Sequence, residues 1–290
     1  MAKYLDPKAD LTFKKVFGEY EDLTKSFLNA LLPLDKDNKI KPIKYLPSEL
    51  VPETPFRKNS IVDVRCTDQD GRQFIVEMQM IWSDEFKQRV LFNASKAYVR
   101  QLGKSKQYEL LQPVYSLNLV NEIFEPNSDN CYYNYHLVCD EDTNLVIDGL
   151  HLTFVELPKF KPESFADKKM MALWLRFLTE IDEQTLEVAP ELIADENIKQ
   201  ALELVEQSAF TDAQLEAYDR FWDAVRVENA IVAEGERRRK KIMEEGREEG
   251  RVAGIAEGIV MIARNLKNSG SDTAFIKQIT GLSEEQINSL

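Results

Sequence analysis

The stretch "NSIVDVRCTDQDGRQFIVEMQM", residues 59 to 80, sets two acids and an amide, Asp63, Glu77 and Gln79, into what otherwise reads as a two-stranded hairpin. Side chains alternate along a strand, so Val62, Val64 and Cys66 share one face while Ile61, Asp63 and Arg65 share the other. In the second strand Phe74, Val76, Met78 and Met80 oppose Ile75, Glu77 and Gln79. Burying the two apolar sets together sets the register. A three-residue loop, Gln69-Asp70-Gly71, with Gly71 in the left-handed position, then pairs Asp68 with Arg72, Val64 with Val76 and Asp63 with Glu77. Carboxylates opposed across a sheet repel by about 0.2–1 kcal/mol. A hard divalent cation, Mg²⁺ or Mn²⁺, would offset that, because it takes oxygen ligands from one or two carboxylates and keeps positions for water and a phosphate oxygen. Such an ion acidifies a bound water and neutralises charge developing on a phosphodiester. Gln79 can orient the water or the phosphate oxygen by hydrogen bonds but brings no positive charge. The competing reading leaves Asp63 and Glu77 on a solvated hairpin face, with Arg65 and Arg72 as counter-ions.

Carboxylates must carry any chemistry here. His136 and His151 are the only histidines, too few for a histidine-rich metal site or triad. Cys66, Cys131 and Cys139 are odd in number and lack the spacing of a zinc site or disulfide framework. With 290 residues and 43% hydrophobic content the chain can bury a real core. The N-terminal residues are charged throughout and no apolar run is long enough to span a bilayer, so a soluble, cytoplasmic protein is expected. A net charge of −13 argues against binding nucleic acid over the whole surface, but the first 110 residues carry 19 Lys and Arg against 16 Asp and Glu. The acidity lies in the C-terminal part.

Around the hairpin, "DLTFKKVFGEYEDLTKSFLNALLP" has helical spacing, broken near Gly18 and stopped by Pro33. Residues 41–58 hold four prolines and allow only a short or edge strand. After the hairpin come a helix from Phe86 to Leu102 and a buried strand from Pro113, giving the order helix, strand, strand, strand, helix, strand. "CYYNYHLV" and "LHLTFVEL" add two strands, and from about Lys161 the chain reads as helical. The expected organisation is an α/β core over 1–160, a helical region over 161–232 and an arm over 233–290. The helix after the hairpin is basic. Lys87, Arg89, Lys96, Arg100, Lys104 and Lys106 fall between Phe86 and Tyr108 without an acid, and Arg89, Asn93, Lys96 and Arg100 share a face. Lys87, Arg89, Lys96 and Arg100 are candidate phosphate contacts, with Arg89 and Lys96 the best placed. Nothing there reads base edges, so little sequence specificity is expected. A solvated helix face is the plainer alternative.

In the arm, Gly246, Gly250, Gly254 and Gly258 recur every four residues, which suits either close approach of a second helix in a homodimer or a charged, partly helical tail. "SDTAFIKQITGLSEEQINSL" reads as two short helices, the second opened by a capping box of Ser283 and Gln286. Its lack of basic residues favours docking or a dimer contact over a groove-reading role.

The pattern of Asp63, thirteen residues, then Glu77-x-Gln79 does not stand alone. "DLTFKKVFG", "SIVDVRCTDQDGRQFIVEMQM", "RVLFNASKAYVRQL", "QPVYSLNLV", "FVELPKF" and "EEGREEGRVAGIAEG" together resemble, in order, the PD-(D/E)xK nuclease superfamily in its branch of recombination-promoting nucleases and transposases. The resemblance implies a restriction-endonuclease-like core and a Mg²⁺- or Mn²⁺-dependent DNA endonuclease acting in recombination or transposition. It makes Asp63, Glu77 and the backbone carbonyl of Met78 metal ligands and puts Gln79 at the position of the name-giving lysine. Asp10 matches an acid on the first helix that reaches the metal; a helix N-cap before Leu11 is the favoured reading and suffices to explain an aspartate there. The alternative function is a catalytically weak or inactive protein of the same fold that acts by binding partners.

Overall fold

The computed structural model describes residues 3–50, 60–102, 107–165 and 168–290. Contacts group the chain into two units, Met1–Arg226 and Val227–Leu290. The first begins with helices α1 (Asp10–Glu19) and α2 (Glu21–Leu31), followed by strands β1 (Ile43–Tyr45), β2 (Glu49–Leu50), β3 (Ser60–Ile61), β4 (Val64–Asp68) and β5 (Gln73–Gln79). Helix α3 (Phe86–Val99) leads to β6 (Val114–Val120), β7 (Tyr132–Val138) and β8 (Val146–Glu156). Helices α4 (Lys169–Glu180), α5 (Pro190–Ile193) and α6 (Glu196–Leu204) follow, and α7 (Asp212–Asn268) starts in this unit. No helix among the described residues is long and apolar enough to cross a membrane.

Six strands form one sheet in the order β1-β4-β5-β6-β8-β7, while β2 and β3 pair separately. The hairpin β4–β5 is antiparallel, and β5, β6 and β8 run parallel, with α3 as the crossover from β5 to β6. On one face α1, α2 and α4 pack Phe13, Phe17, Phe27 and Trp174 against Val64, Cys66, Phe74, Val76 and Leu117. Phe17 and Phe27 stack at 4.3 Å. On the other face α3 lays Ala94 and Ala97 on Val62, Ile75 and Val114, and Phe86 and Val90 on Val120 and Phe154. With helices on both sides, β5 is apolar on both sides until Glu77.

The first helical stretch breaks at Tyr20, whose backbone is extended, two residues beyond the expected Gly18. The break frees the carbonyl of Phe17 to accept the hydroxyls of Thr24 at 2.7 Å and Tyr45 at 3.2 Å. The hairpin has the expected register, Val64 against Val76, and Gly71 has a φ of 83°. Asp68 holds the loop from inside: one oxygen accepts the backbone N–H groups of Asp70 and Arg72 at 3.0 Å, and the other meets the Arg72 guanidinium at 2.6 Å. Arg72 also donates to the carbonyl of Asn38, tying the turn to the chain after α2.

The expected face assignment fails at one point. Val62 packs against Ile75, Ala94 and Ala97, on the opposite side of the sheet from Val64. The chain bends at Asp63, so the ladder ends at Val64 and Asp63 lies just beyond it.

In the second unit α7 stays helical through the glycine repeat, so the partly helical tail is not what forms. A Cβ at Gly246, Gly250, Gly254 or Gly258 would meet nothing within 4 Å, so among the described residues no segment makes the close approach. Helices α8 (Thr273–Thr280) and α9 (Glu284–Ser289) fold back, burying Ile276 and Ile287 against Ala263. The capping box of Ser283 and Gln286 is present.

Removing Arg72 strands the Asp68 carboxylate, whose side chain is fully buried. Arg72→Ala should therefore cost about 3–5 kcal/mol. Lys25→Ala, which breaks an exposed pair with Asp22, should cost less than about 1 kcal/mol. Chemical denaturation of both variants checks the contrast; equal losses would remove Asp68–Arg72 as the hairpin's anchor.

Candidate active site

Strand alternation delivers Glu77 and Gln79 to the α3 side of β5, because Val76 and Met78 turn to the apolar layer of α1 and α2. Helix α3 meets them with a buried stripe of Phe86, Val90, Asn93, Ala94 and Ala97, one turn apart, in which Asn93 is the polar member. Asn93 donates its amide to Glu77 Oε1 at 3.0 Å. Glu77 is only 6% exposed, so this bond and the Arg89 guanidinium, 3.8 Å from the other oxygen, are what its charge has in place of water.

Asp63 arrives from the other side of the hairpin. Its bend lets the carboxylate accept the Met78 N–H at 2.8 Å, replacing the ladder bond that ends at Val64. Successive strand residues send their backbone groups to opposite neighbours, and the Gln79 carbonyl already accepts from Asn121. The Met78 carbonyl therefore points to the Asp63 side. Gln79 is held at both ends: its amide donates to the Ile81 carbonyl at 2.5 Å and its oxygen accepts from Arg89 at 2.5 Å. Asp63, Glu77, Met78, Gln79, Arg89 and Asn93 line one cleft of about 840 Å³, with Ile61, Ser83, Glu85, Gln88 and Phe92 completing its wall.

Burial pushes both carboxyls above their usual range. For Asp63, desolvation outweighs the Met78 hydrogen bond and the Lys14 charge, and Asp10 adds repulsion. For Glu77, desolvation outweighs Asn93 and Arg89, and Asp63 adds repulsion. The counter-ions are not the expected ones. Arg72 is committed to Asp68, and Arg65 donates to Gln73, whereas Arg89 serves the site.

Asp10 is half-exposed and pairs with Lys14 at 2.6 Å. It is not an N-cap, since α1 is capped at Ala9 without a side-chain bond. Its field reaches Asp63, so it borders the cleft electrostatically. Among the four proposed phosphate contacts, Arg89 lines the cleft. Lys87 instead pairs with Glu125 at 2.6 Å and covers the Phe124 ring. Lys96 lies over Phe92 at 5.1 Å, and Arg100 follows the end of α3 near Arg65. Lys104 and Lys106 lie outside the described residues. Two partners were not foreseen: the Asn93 bond to Glu77 and the Lys14 field at Asp63. An asparagine in the apolar stripe of α3 was the available signal.

The family model of the PD-(D/E)XK nuclease family transposases matches residues 7–234, which takes in the whole cleft. The chain belongs to this family. Its mixed α/β architecture, with a six-stranded sheet and a long C-terminal helix, is consistent with a PD-(D/E)XK nuclease fold. No curated protein and no solved structure matches the chain.

The residues fit the divalent ion that nucleases of this kind generally use. Asp63, Glu77 and Met78 line the same cleft, and Asn93 Oδ1 is buried beside Glu77 without a hydrogen-bond partner, able to accept from a water held there. Among the described residues no group of three or more Asp, Glu, His or Cys is placed to hold a metal ion. Such residues would suit a hard cation that keeps several waters, and they are unlike a closed zinc site.

A carboxyl whose pKa is raised on folding holds its proton more tightly in the native state, so the stability it contributes is present at low pH and lost as pH rises through the raised value. In metal-free protein, wild type should therefore lose Tm relative to Glu77→Gln as pH rises from about 4.3. Thermal melts across that range test it; a difference independent of pH would show that Glu77 titrates normally.

Proposed function

We propose that the chain is a metal-dependent DNA endonuclease of low sequence specificity, cytoplasmic and self-associating through its C-terminal helices, with Asp63, Glu77 and Gln79 at its centre. The observation that carries the reading is the convergence of these three residues with Arg89 in a single cleft. Asp63, Glu77 and the Met78 carbonyl would hold Mg²⁺ or Mn²⁺, with Asp10 near enough to influence Asp63. When bound, the ion supplies an acidified water and neutralises charge on the phosphodiester.

The chain's own residues account for the rest. Asn93 and the Met78 N–H fix the two carboxylates, so their lone pairs are aimed before substrate arrives. Gln79 presents an amide whose orientation is set by Ile81 and Arg89, suited to orienting a water or a phosphate oxygen. The name-giving lysine would have brought a cation to this point. Here Arg89, one helix away and bonded to Gln79, brings it, and its half-exposed guanidinium can take two phosphate oxygens at once. Lys96 and Arg100 extend basic charge along α3 towards the duplex backbone, while Lys87, engaged by Glu125, contributes less. A non-catalytic, partner-binding role is the alternative, and the missing lysine favours it.

Plasmid nicking by purified protein in Mg²⁺, Mn²⁺ or EDTA decides between them. Cutting should require the ion and vanish in Glu77→Ala, and Arg89→Ala should slow it by about 10²–10³-fold. A folded protein that cuts with neither ion, and whose Tm neither ion shifts, would overturn the nuclease reading.

A further inference from the structure

Beyond the cleft, α7 carries a seam in its 227–262 portion that leaves apolar residues exposed among the described residues. Steps of four and three residues from Val227 trace one stripe of the helix. Its ends are apolar: Val227 and Ile231, then Val252, Ile255 and Ile259. Val227, Ile231, Val252 and Ile255 are each more than half exposed. Its middle is charged: Glu234, Arg238 and Lys241, then Glu245 and Glu248. Exposed apolar residues and five glycines both weaken an isolated helix in water, and a partner surface would offset both.

We propose that this seam pairs with the same seam of a second copy as an antiparallel two-stranded coiled coil whose twofold axis passes at Met243. In that register Val227 meets Ile259, Ile231 meets Ile255, Arg238 meets Glu248 and Lys241 meets Glu245. Apolar residues face apolar residues in the two outer layers, Glu234 faces Val252 in the next, and each central cation faces an anion. Alternation of the four- and three-residue steps is respected in every layer, as antiparallel packing needs. A parallel, in-register pair would set Arg238, Lys241, Glu245 and Glu248 each against itself. Sliding the antiparallel pair by one heptad opposes Glu245 to Glu248 in one direction, and Arg238 to Lys241 in the other. The charge order therefore rejects the neighbouring arrangements as well as favouring one. The surface is isologous, so it closes as a dimer and does not propagate. Most of the seam lies beyond the region shared with the nuclease family, which ends at residue 234. The inference rests on the self-association proposed above and is independent of catalysis.

The test uses the full chain with Cys139→Ser, since Cys66 and Cys131 are buried. Light scattering should give a dimer. Under mild oxidation a mixture of Ile231→Cys and Ile255→Cys chains should cross-link, and neither variant alone should, because the two positions lie about 36 Å apart along one helix. Arg238→Glu with Lys241→Glu should weaken association at least tenfold, and adding Glu245→Lys with Glu248→Arg should restore it. A monomer at all concentrations would overturn self-association itself. Cross-linking of Ile231→Cys to itself would keep the dimer and overturn the antiparallel register, as would a charge reversal without effect.

Discussion

The burial of Glu77 is the constraint on which the site depends. Strand β5 runs through the middle of the sheet between two helical layers, so its side chains from Phe74 to Glu77 are buried. A carboxylate there loses most of its hydration, and a charge in that position is tolerated only with dedicated partners. Asn93, Arg89 and the packing of α3 supply them. Asp63 solves the same problem by leaving its ladder and taking the N–H of Met78. The cleft is thus a place where the fold accepts a local cost, as functional sites do.

Much of this was legible because it follows from period-two and period-3.6 patterns. The register of β4 and β5 came from two apolar sets that can be buried together in one way, and Gly71 marked the turn. The capping box at Ser283 is likewise local chemistry. What was not legible depended on neighbours distant in sequence. Nothing within residues 59–66 says that Val62 and Val64 lie on opposite sides of the sheet, since that follows from where α3 puts Ala94 and Ala97. Lys87 reads as one cation in a basic run, and its capture by Glu125 links residues 38 apart. The role of Asn93 was half legible, as a polar residue on an otherwise apolar stripe, but its partner was not.

At Gln79 strand β5 carries a neutral amide, and the positive charge beside it comes from another element. A lysine on β5 would carry its cation on the strand that also carries Glu77. In this chain the strand offers only the Gln79 amide, and the cation comes from α3. Arginine suits that task because its planar fork can bond Gln79 and still present donors to a phosphate, which a lysine reaching the same spot could not do as well.

That division of labour makes the electrostatics of the cleft depend on helix packing. Arg89 and Asn93 are four residues apart on α3, so they move together. Their distance from Glu77 is set by how closely Ala94 and Ala97 let the helix approach Ile75. Two small side chains at the contact permit a short interaxial distance, and a larger residue would lift the guanidinium and the amide away from the carboxylate at once. The core on this side of the sheet therefore does more than stabilise the fold. It sets the field in which Asp63 and Glu77 titrate.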